Sequence, residues 1–389
     1  MRIGILTQSM AANYGCNLQA FALQTILKRF GADVQILDRW DSPKKETCVD
    51  RITKFCIQNF KDVLKVILGK SVYRSIEPRQ QIFFWQNFIK FQKQYLCLSP
   101  KLFSSEMLQQ YAEQNNFDTY IVGSDQVWRP AYNVGDKLYN MFFDFTDGLN
   151  VKRISYAASF GVDMWEFSEE QTQRCRKLIQ YFDAISVREN TGVGLCREYL
   201  GVNALHVLDP TLLLSKEDYD KLIANSDVTN SSGNMFCYIL DSSELIKNEI
   251  KNIEKKTNYK SFTCLPLIPE NTYNPFRKKE SILPSVEQWL KSFADAEIVI
   301  ADSFHGMVFS IIYNKPFWVV GNTQRGTSRF SSLLKVLGLE NRLVSISDLN
   351  KININSKIDW DSVNQIIAKM KWNSLSFLEN ALTNESSTN

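Results

Sequence analysis

Histidine is almost missing from this chain: His206 and His305 are the two that occur in 389 residues. With no HExxH pair and no clustered imidazoles, a dedicated transition-metal site is not expected. The eight cysteines stand at 16, 48, 56, 97, 175, 196, 237 and 264, and none forms a CxxC pair. That scatter suits free thiols in a reducing compartment and argues against a zinc site or a disulfide frame. A surplus of one charge is missing too, the formal net charge being +3, whereas nucleic-acid binders carry a dense basic stripe. No apolar run approaches the roughly 18 residues a spanning helix needs, and the opening "MRIGILTQSMAANYG" has too short an apolar core for a secretory signal. What is present is a Phe- and Tyr-rich chain, 44% apolar and 22% charged, long enough for two domains and read as cytoplasmic.

Periodicity gives the architecture. "RIGILT" reads as a strand and "QSMAANYG" as a loop. In "CNLQAFALQTILKRFG" the residues Leu18, Phe21, Ala22, Leu23, Ile26 and Leu27 mark a helix that Gly31 stops, and "DVQILD" is a second strand. Strand, helix, strand opens a parallel α/β sheet with a right-handed crossover. Residues 41–115 read as a helical insertion, in which 51–74 is amphipathic and basic. Strands are then expected at 118–123, 153–159, 184–188 and 204–209, with helices near 168–182 and 190–200. A second series places strands at 234–241, 260–265, 297–301 and 316–320, with helices at 243–256, 285–294, from His305 onward, and at 328–338. The pattern predicts one Rossmann-like domain over 1–212, a second over 213–350, a helical segment over 351–382, and a disordered tail over 383–389.

Ligands of open α/β sheets gather at the carboxyl ends of strands. Four polar clusters fall at such ends: "NYGCNLQ" (13–19), "GSDQVW" (123–128), "SVREN" (186–190) and "ADSFHG" (301–306). Singly, each has a plain structural reading. Asn13 and Gly15 can make a turn, Asn17 can cap a helix, Ser124 and Asp125 can cap the segment after their strand, and Arg188 can pair with Glu189. His206, inside "ALHVLD", reads as structural. His305 is different, because it comes after Asp302 and Ser303 in the first turn of a helix, beside Gly306. A helix start carries roughly half a positive charge, so an imidazolium there calls for an anion nearby. The strings Asp218–Tyr219–Asp220 and Asp359–Trp360–Asp361 sit at helix starts, where acidic residues suit the dipole. The common phosphate-loop signatures GxxxxGK[ST] and GxGxxG are absent after strands.

Taken in order, and with "LDPTLLL" (208–214) and "SFHGMVFSIIYNKPF", these clusters resemble the polysaccharide pyruvyl transferase family from about Gly4 to about Arg342. The most specific pieces are "NYGCNLQAFALQ", "VGSDQVW" and "DSFHGMVFS"; the span 41–115 carries no resemblance. The resemblance implies a GT-B-like α/β fold with two Rossmann-like domains facing across a cleft. It implies transfer of the enolpyruvyl group of phosphoenolpyruvate to a sugar of a surface polysaccharide or its lipid-linked precursor. The product is a pyruvate ketal, phosphate is released, and neither cofactor nor metal is required. On the same basis His305 is the general acid and Arg188 binds the donor. Ser303 and Gly306 join them in the donor site, with Arg325 or Arg329 as a further basic contact. Asp125 orients or deprotonates the acceptor, and Asn13, Tyr14, Gln19 and Ser124 line the acceptor side. A lipid-linked acceptor would make the basic segment 51–74 a candidate contact with the inner face of the cell membrane. Two alternatives stay open: a GT-B glycosyltransferase using a nucleotide sugar, and a non-catalytic glycan-binding protein.

Overall fold

A computed structural model describes residues 1–41, 78–241, 243–268, 275–321 and 327–383. The basic segment 51–74, Arg325 and the tail 384–389 lie outside the described residues. Two sheets organise the chain. The first contains β1 (Arg2–Leu6), β2 (Asp33–Leu37), β3 (Thr119–Val122), β4 (Lys152–Ala158), β5 (Ala184–Val187) and β6 (Leu205–His206). Its order is β2-β1-β3-β4-β5-β6, parallel throughout. The second contains β7 (Met235–Tyr238), β8 (Ser261–Phe262), β9 (Ile298–Ala301), β10 (Phe317–Val320) and β11 (Leu343–Val344), ordered β11-β10-β9-β7-β8 and again parallel. Sheets covered by helices on both faces need strands apolar on both sides. "IVIA" and "FWVV" are accordingly buried along their whole length.

The first strand of each sheet lies inside it, with its successors on either side. Winding therefore reverses between β1 and β3, and again between β7 and β9. Such a reversal opens a crevice at the carboxyl ends of the two strands. Helix starts there are fixed locally. Asn13 Oδ1 accepts from the Cys16 N–H at 3.0 Å to begin the helix Tyr14–Arg29. Ser303 Oγ accepts from the Gly306 N–H at 2.9 Å to begin the helix Phe304–Ile312. Both obey the rule that a short polar side chain takes a free N–H of the first turn.

One hydrophobic core joins the two sheets. Tyr14 crosses from the first to the second, stacking on Trp289 with ring centroids 5.2 Å apart and planes 6° from parallel. Its hydroxyl donates to the Pro284 carbonyl at 2.9 Å. Phe88, on the helix Gln86–Tyr95 of the insertion, packs on Tyr14 at 4.8 Å. Asn87 Nδ2 donates to the Leu283 carbonyl at 2.8 Å. The insertion therefore braces the junction between the domains. The last helix, Trp360–Thr383, returns to the first sheet: Ser374 Oγ accepts from the Leu208 N–H at 3.0 Å, and Phe377 packs near Tyr156.

Two expected strands are shorter than their apolar runs. Of 204–209 only Leu205–His206 pairs, because Asp209 Oδ1 accepts from the Thr211 N–H and turns the chain into the short 3₁₀ stretch Pro210–Leu213. Of 260–265 only Ser261–Phe262 pairs, and β11, two half-buried residues, is additional. The expected helix near 190–200 splits into Asn190–Leu195 and a wider turn over Cys196–Leu200. Among the described residues no helix is long and apolar enough to cross a membrane. Tyr14→Phe is expected to cost about 1 kcal/mol through the lost hydroxyl contact, and Tyr14→Ala about 3–5 kcal/mol through a cavity. Denaturant melts monitored by tryptophan fluorescence measure both, and equal losses would show that the ring stack contributes nothing.

Candidate active site

The two crevices face one another and share a cleft of about 250 Å³. The first domain supplies Asn13, Gly15 and Asp125 to its wall, and the second supplies Ser303, His305 and Arg329. Helices Tyr14–Arg29, Phe304–Ile312 and Ser328–Val336 all begin here. Each start presents N–H groups without helical acceptors and a fractional positive charge. Three such ends around one hollow make it a site for an anion.

Behind the wall lies a buried charge cluster centred on Asp209, which comes after β6 and is fully buried. Its Oδ2 accepts from Arg188 Nη1 at 2.9 Å and from Ser124 Oγ at 3.0 Å. Its Oδ1 accepts from the Thr211 N–H at 3.0 Å and Thr211 Oγ1 at 2.7 Å. Burial alone would push this carboxyl upward, but His305, Arg188 and Thr211 outweigh it and hold Asp209 well below the usual carboxylate range. Arg188 Nη2 donates to Asp125 Oδ1 at 3.2 Å. The Arg188 guanidinium also lies over the Phe304 ring, 4.6 Å from its centroid. Burial works against both charges of this pair. Even so, Asp125 is drawn down by Arg188, His305 and Arg329, while Asp125 and Asp209 raise Arg188.

His305 Nε2 stands 3.7 Å from Asp209 Oδ2, an ion-pair distance rather than a hydrogen bond. That nitrogen is buried and has no hydrogen-bond partner. The other side of the ring presses on Gly15: a Cβ there would lie 2.0 Å from His305 Nδ1. Only a residue without a side chain leaves space for the imidazole. Among the described residues, Arg329 is the arginine that lines the cleft. Burial first, and then the charge of Arg188, push it down to about 10, so it keeps its charge at neutral pH.

The expected site residues divide into three groups. His305, Asp125, Asn13, Ser303 and Arg329 come together at the cleft. Arg188 adjoins it but does not open into it, because its side chain is 1% exposed and both terminal nitrogens are engaged by carboxylates. The expected direct grip of Arg188 on a donor is thus corrected to a supporting place beneath Asp125. Tyr14, Gln19, Ser124 and Gly306 are not cleft-lining. Tyr14 turns into the junction core. Gln19 accepts from the Ser124 N–H at 3.0 Å and donates to Thr7 Oγ1 at 2.9 Å beneath the sheet end. Ser124 hydrogen bonds Asp209. Gly306 permits close packing, since a Cβ would lie 2.8 Å from Ala301 Cβ.

Asp209 and Gly15 are the functional positions that sequence reading passed over. Asp209 comes just after a strand, so the strand-end rule that selected the other clusters also points to it. Arg188 pairs with aspartates, not with Glu189, whose Oε1 accepts from the Phe160 N–H at 2.8 Å and from Ser159 Oγ at 3.1 Å. His206 Nε2 sits 3.1 Å from the Arg188 carbonyl, a structural contact. Asp218 caps its helix and pairs with Arg29 at 2.7 Å, and Asp359 caps the final helix. Among the described residues no group of three or more His, Cys, Asp or Glu is placed to hold a metal ion.

A small cleft between two facing Rossmann-like domains, with an imidazole, a carboxylate and a guanidinium on its walls, suits proton transfer to a compact anion. The architecture is GT-B. Arabidopsis thaliana UGT89C1, solved with UDP-L-rhamnose, is similar with a TM-score of 0.51 and 8% identity over 97% of this chain and 98% of that one. The UDP-GlcNAc 2-epimerase of Methanocaldococcus jannaschii is similar with a TM-score of 0.45 and 12% identity, over 96% and 100%. At such identities the likeness concerns fold alone. No curated protein sequence matches the chain. The profile of the polysaccharide pyruvyl transferases matches residues 13–324, and the chain belongs to that family.

Gly15→Ala places a Cβ 2.0 Å from His305 Nδ1. It should lower transferase turnover by about tenfold or more and cost about 1–3 kcal/mol of stability, because the ring must shift to admit the methyl. Steady-state rates and thermal melts together check this, and unaltered turnover would show that the ring is free to move. Asp209→Asn should cost on the order of 3–5 kcal/mol at pH 7, because buried Arg188 keeps its charge with one partner fewer. A depressed carboxylate contributes stability that is complete above its unfolded value of about 3.9 and is lost as pH falls toward the folded value. Denaturant melts should therefore show the gap between wild type and variant narrowing from pH 7 to about pH 3.

Proposed function

We propose that this transferase moves the enolpyruvyl group of phosphoenolpyruvate onto a sugar carrying two suitably placed hydroxyls, in a surface polysaccharide or its lipid-linked precursor. The carrying observation is the convergence of His305 and Arg329 on one cleft, with Asp125 on the opposite wall. Phosphoenolpyruvate is small and highly charged. The three helix starts and Arg329 supply the positive field it requires. A volume of about 250 Å³ falls below the roughly 300–1,000 Å³ typical of drug-sized ligands, which favours a compact donor.

Protonated His305 delivers its proton to C3, and C2 gains oxocarbenium character. The first acceptor hydroxyl adds to C2, and its proton restores the imidazolium. The C2–O bond to phosphate then breaks. A second hydroxyl closes the ketal, and its proton leaves with the phosphate. Atoms and charge balance with no redox partner. Asp125, ionised at neutral pH, orients the incoming hydroxyl. Arg188 holds Asp125 and Asp209 in place and offsets their charge near the trianion.

Phosphoenolpyruvate with candidate galactosides or N-acetylhexosamines should yield phosphate and a sugar heavier by one pyruvyl ketal, read by phosphate assay and mass spectrometry. His305→Gln should lower that rate by about 10²-fold or more, the usual scale for a general acid. Release of nucleotide from a nucleotide sugar, with no phosphate from phosphoenolpyruvate, would overturn the proposal in favour of glycosyl transfer.

A further inference from the structure

We infer that Asp209 holds His305 through Nε2, and that Nδ1, at the notch left by Gly15, is the nitrogen that hands over the proton. The inference rests on the pyruvyl-transfer reading for the reaction it serves, but its geometry stands independently. Asp209 is fully buried and its Oδ2 is the carboxylate oxygen nearest Nε2, at 3.7 Å. Nε2 itself is buried with no hydrogen-bond partner, so that carboxylate is the acceptor within closest reach of its proton. The opposite edge, Nδ1, faces Gly15, which lines the cleft. An unpaired buried N–H is costly, whereas one directed at a carboxylate is stabilised. The neutral ring therefore carries its single proton on Nε2. Protonation adds a hydrogen at Nδ1, which is the hydrogen that leaves for C3. Asp209 does not touch the substrate and is a positioning residue, acting like other carboxylates that fix an imidazole's tautomer and stabilise its cation.

The fixed contacts of Asp209 make this orientation firm. Ser124 Oγ, Arg188 Nη1 and Thr211 hold both its oxygens from the first domain. His305 reaches it from the second. Charged groups around the ring are Asp209 after β6, Asp125 after β3, Arg188 at the end of β5, Asp302 at the end of β9 and Arg329 on the helix Ser328–Val336. The helix Tyr14–Arg29 offers Gly15 and no charge. Removing the Asp209 charge should destabilise the imidazolium.

With two histidines in the chain, ¹⁵N-histidine labelling of the full-length wild type gives two pairs of ring signals, and the pair missing in His305→Gln identifies His305. At about pH 9, where imidazoles are neutral, the expected signature is an Nε2–H tautomer with an unprotonated Nδ1. An Nδ1–H tautomer would overturn the inference. In Asp209→Asn, turnover should fall by about tenfold or more and the alkaline limb of kcat/KM should move to lower pH. An unmoved limb in a folded variant also overturns it. If that variant does not fold, the wild-type tautomer still decides. An Nε2–H tautomer in a protein that releases no phosphate from phosphoenolpyruvate keeps the Asp209 contact and rejects the reaction instead.

Discussion

The buried pair of Arg188 and Asp209 is the constraint around which the site is assembled. Burying two charges carries a desolvation cost of several kcal/mol per ion, recovered only with close geometry and full hydrogen bonding. Asp209 meets that condition, with donors on both oxygens. Arg188 meets it less completely, because its Nε is buried without a partner. Phe304, the first residue of the helix that carries His305, covers the guanidinium face. The pair thus belongs to the first domain, while the second supplies its lid and the imidazole beside it. A contact between the domains therefore stands beside the candidate site.

Both domains use the same winding, and the result is a cleft built from equivalent positions. The segments after β1 and β3 supply Asn13, Gly15 and Asp125, and the segment after β9 supplies Ser303 and His305. A reversal of winding in each sheet leaves a crevice at both. Tyr14 on Trp289, braced by Phe88, sets how closely they approach. The separation matters at the scale of a single methyl group, as Gly15 against His305 demonstrates. A residue whose importance is the absence of a side chain becomes visible once two distant segments are placed together.

Strand runs such as "IVIA" and helices such as 285–294 were legible in the sequence, because burial on both faces or on one stripe leaves a strong pattern. Runs such as "KSFTCL" were over-read as strand: their residues are apolar for packing while the backbone pairs only briefly. At the site, strand ends located the right loops but not the direction of each side chain. Successive helical residues diverge by about 100°, so in "NYG" Gly15 meets the cleft while Tyr14 enters the core. Gln19 lies on nearly the same face as Gly15 but one turn deeper, where its amide meets the Ser124 N–H and Thr7 Oγ1 instead of the cleft. Asp209 was hidden by its setting, since an aspartate before Pro210 reads as an ordinary turn residue.

The charges around the cleft link proton uptake to anion binding. Asp125 and Asp302 stand on its walls with Arg329, and Asp209, Arg188 and Glu189 are buried behind them. The helix starts add a positive field to this mixed set of charges. Protonation of His305 adds +1 at the wall, and an anionic ligand lowers the cost of that charge. On the proposed reading, an anion in the cleft and a proton on the imidazole would favour one another by an equal factor, as linkage requires. Arg188 cannot fill this role, since its charge is already balanced by Asp125 and Asp209. Arg188 is buried between carboxylates, whereas Arg329 lines the cleft, where the proposed anion would meet it.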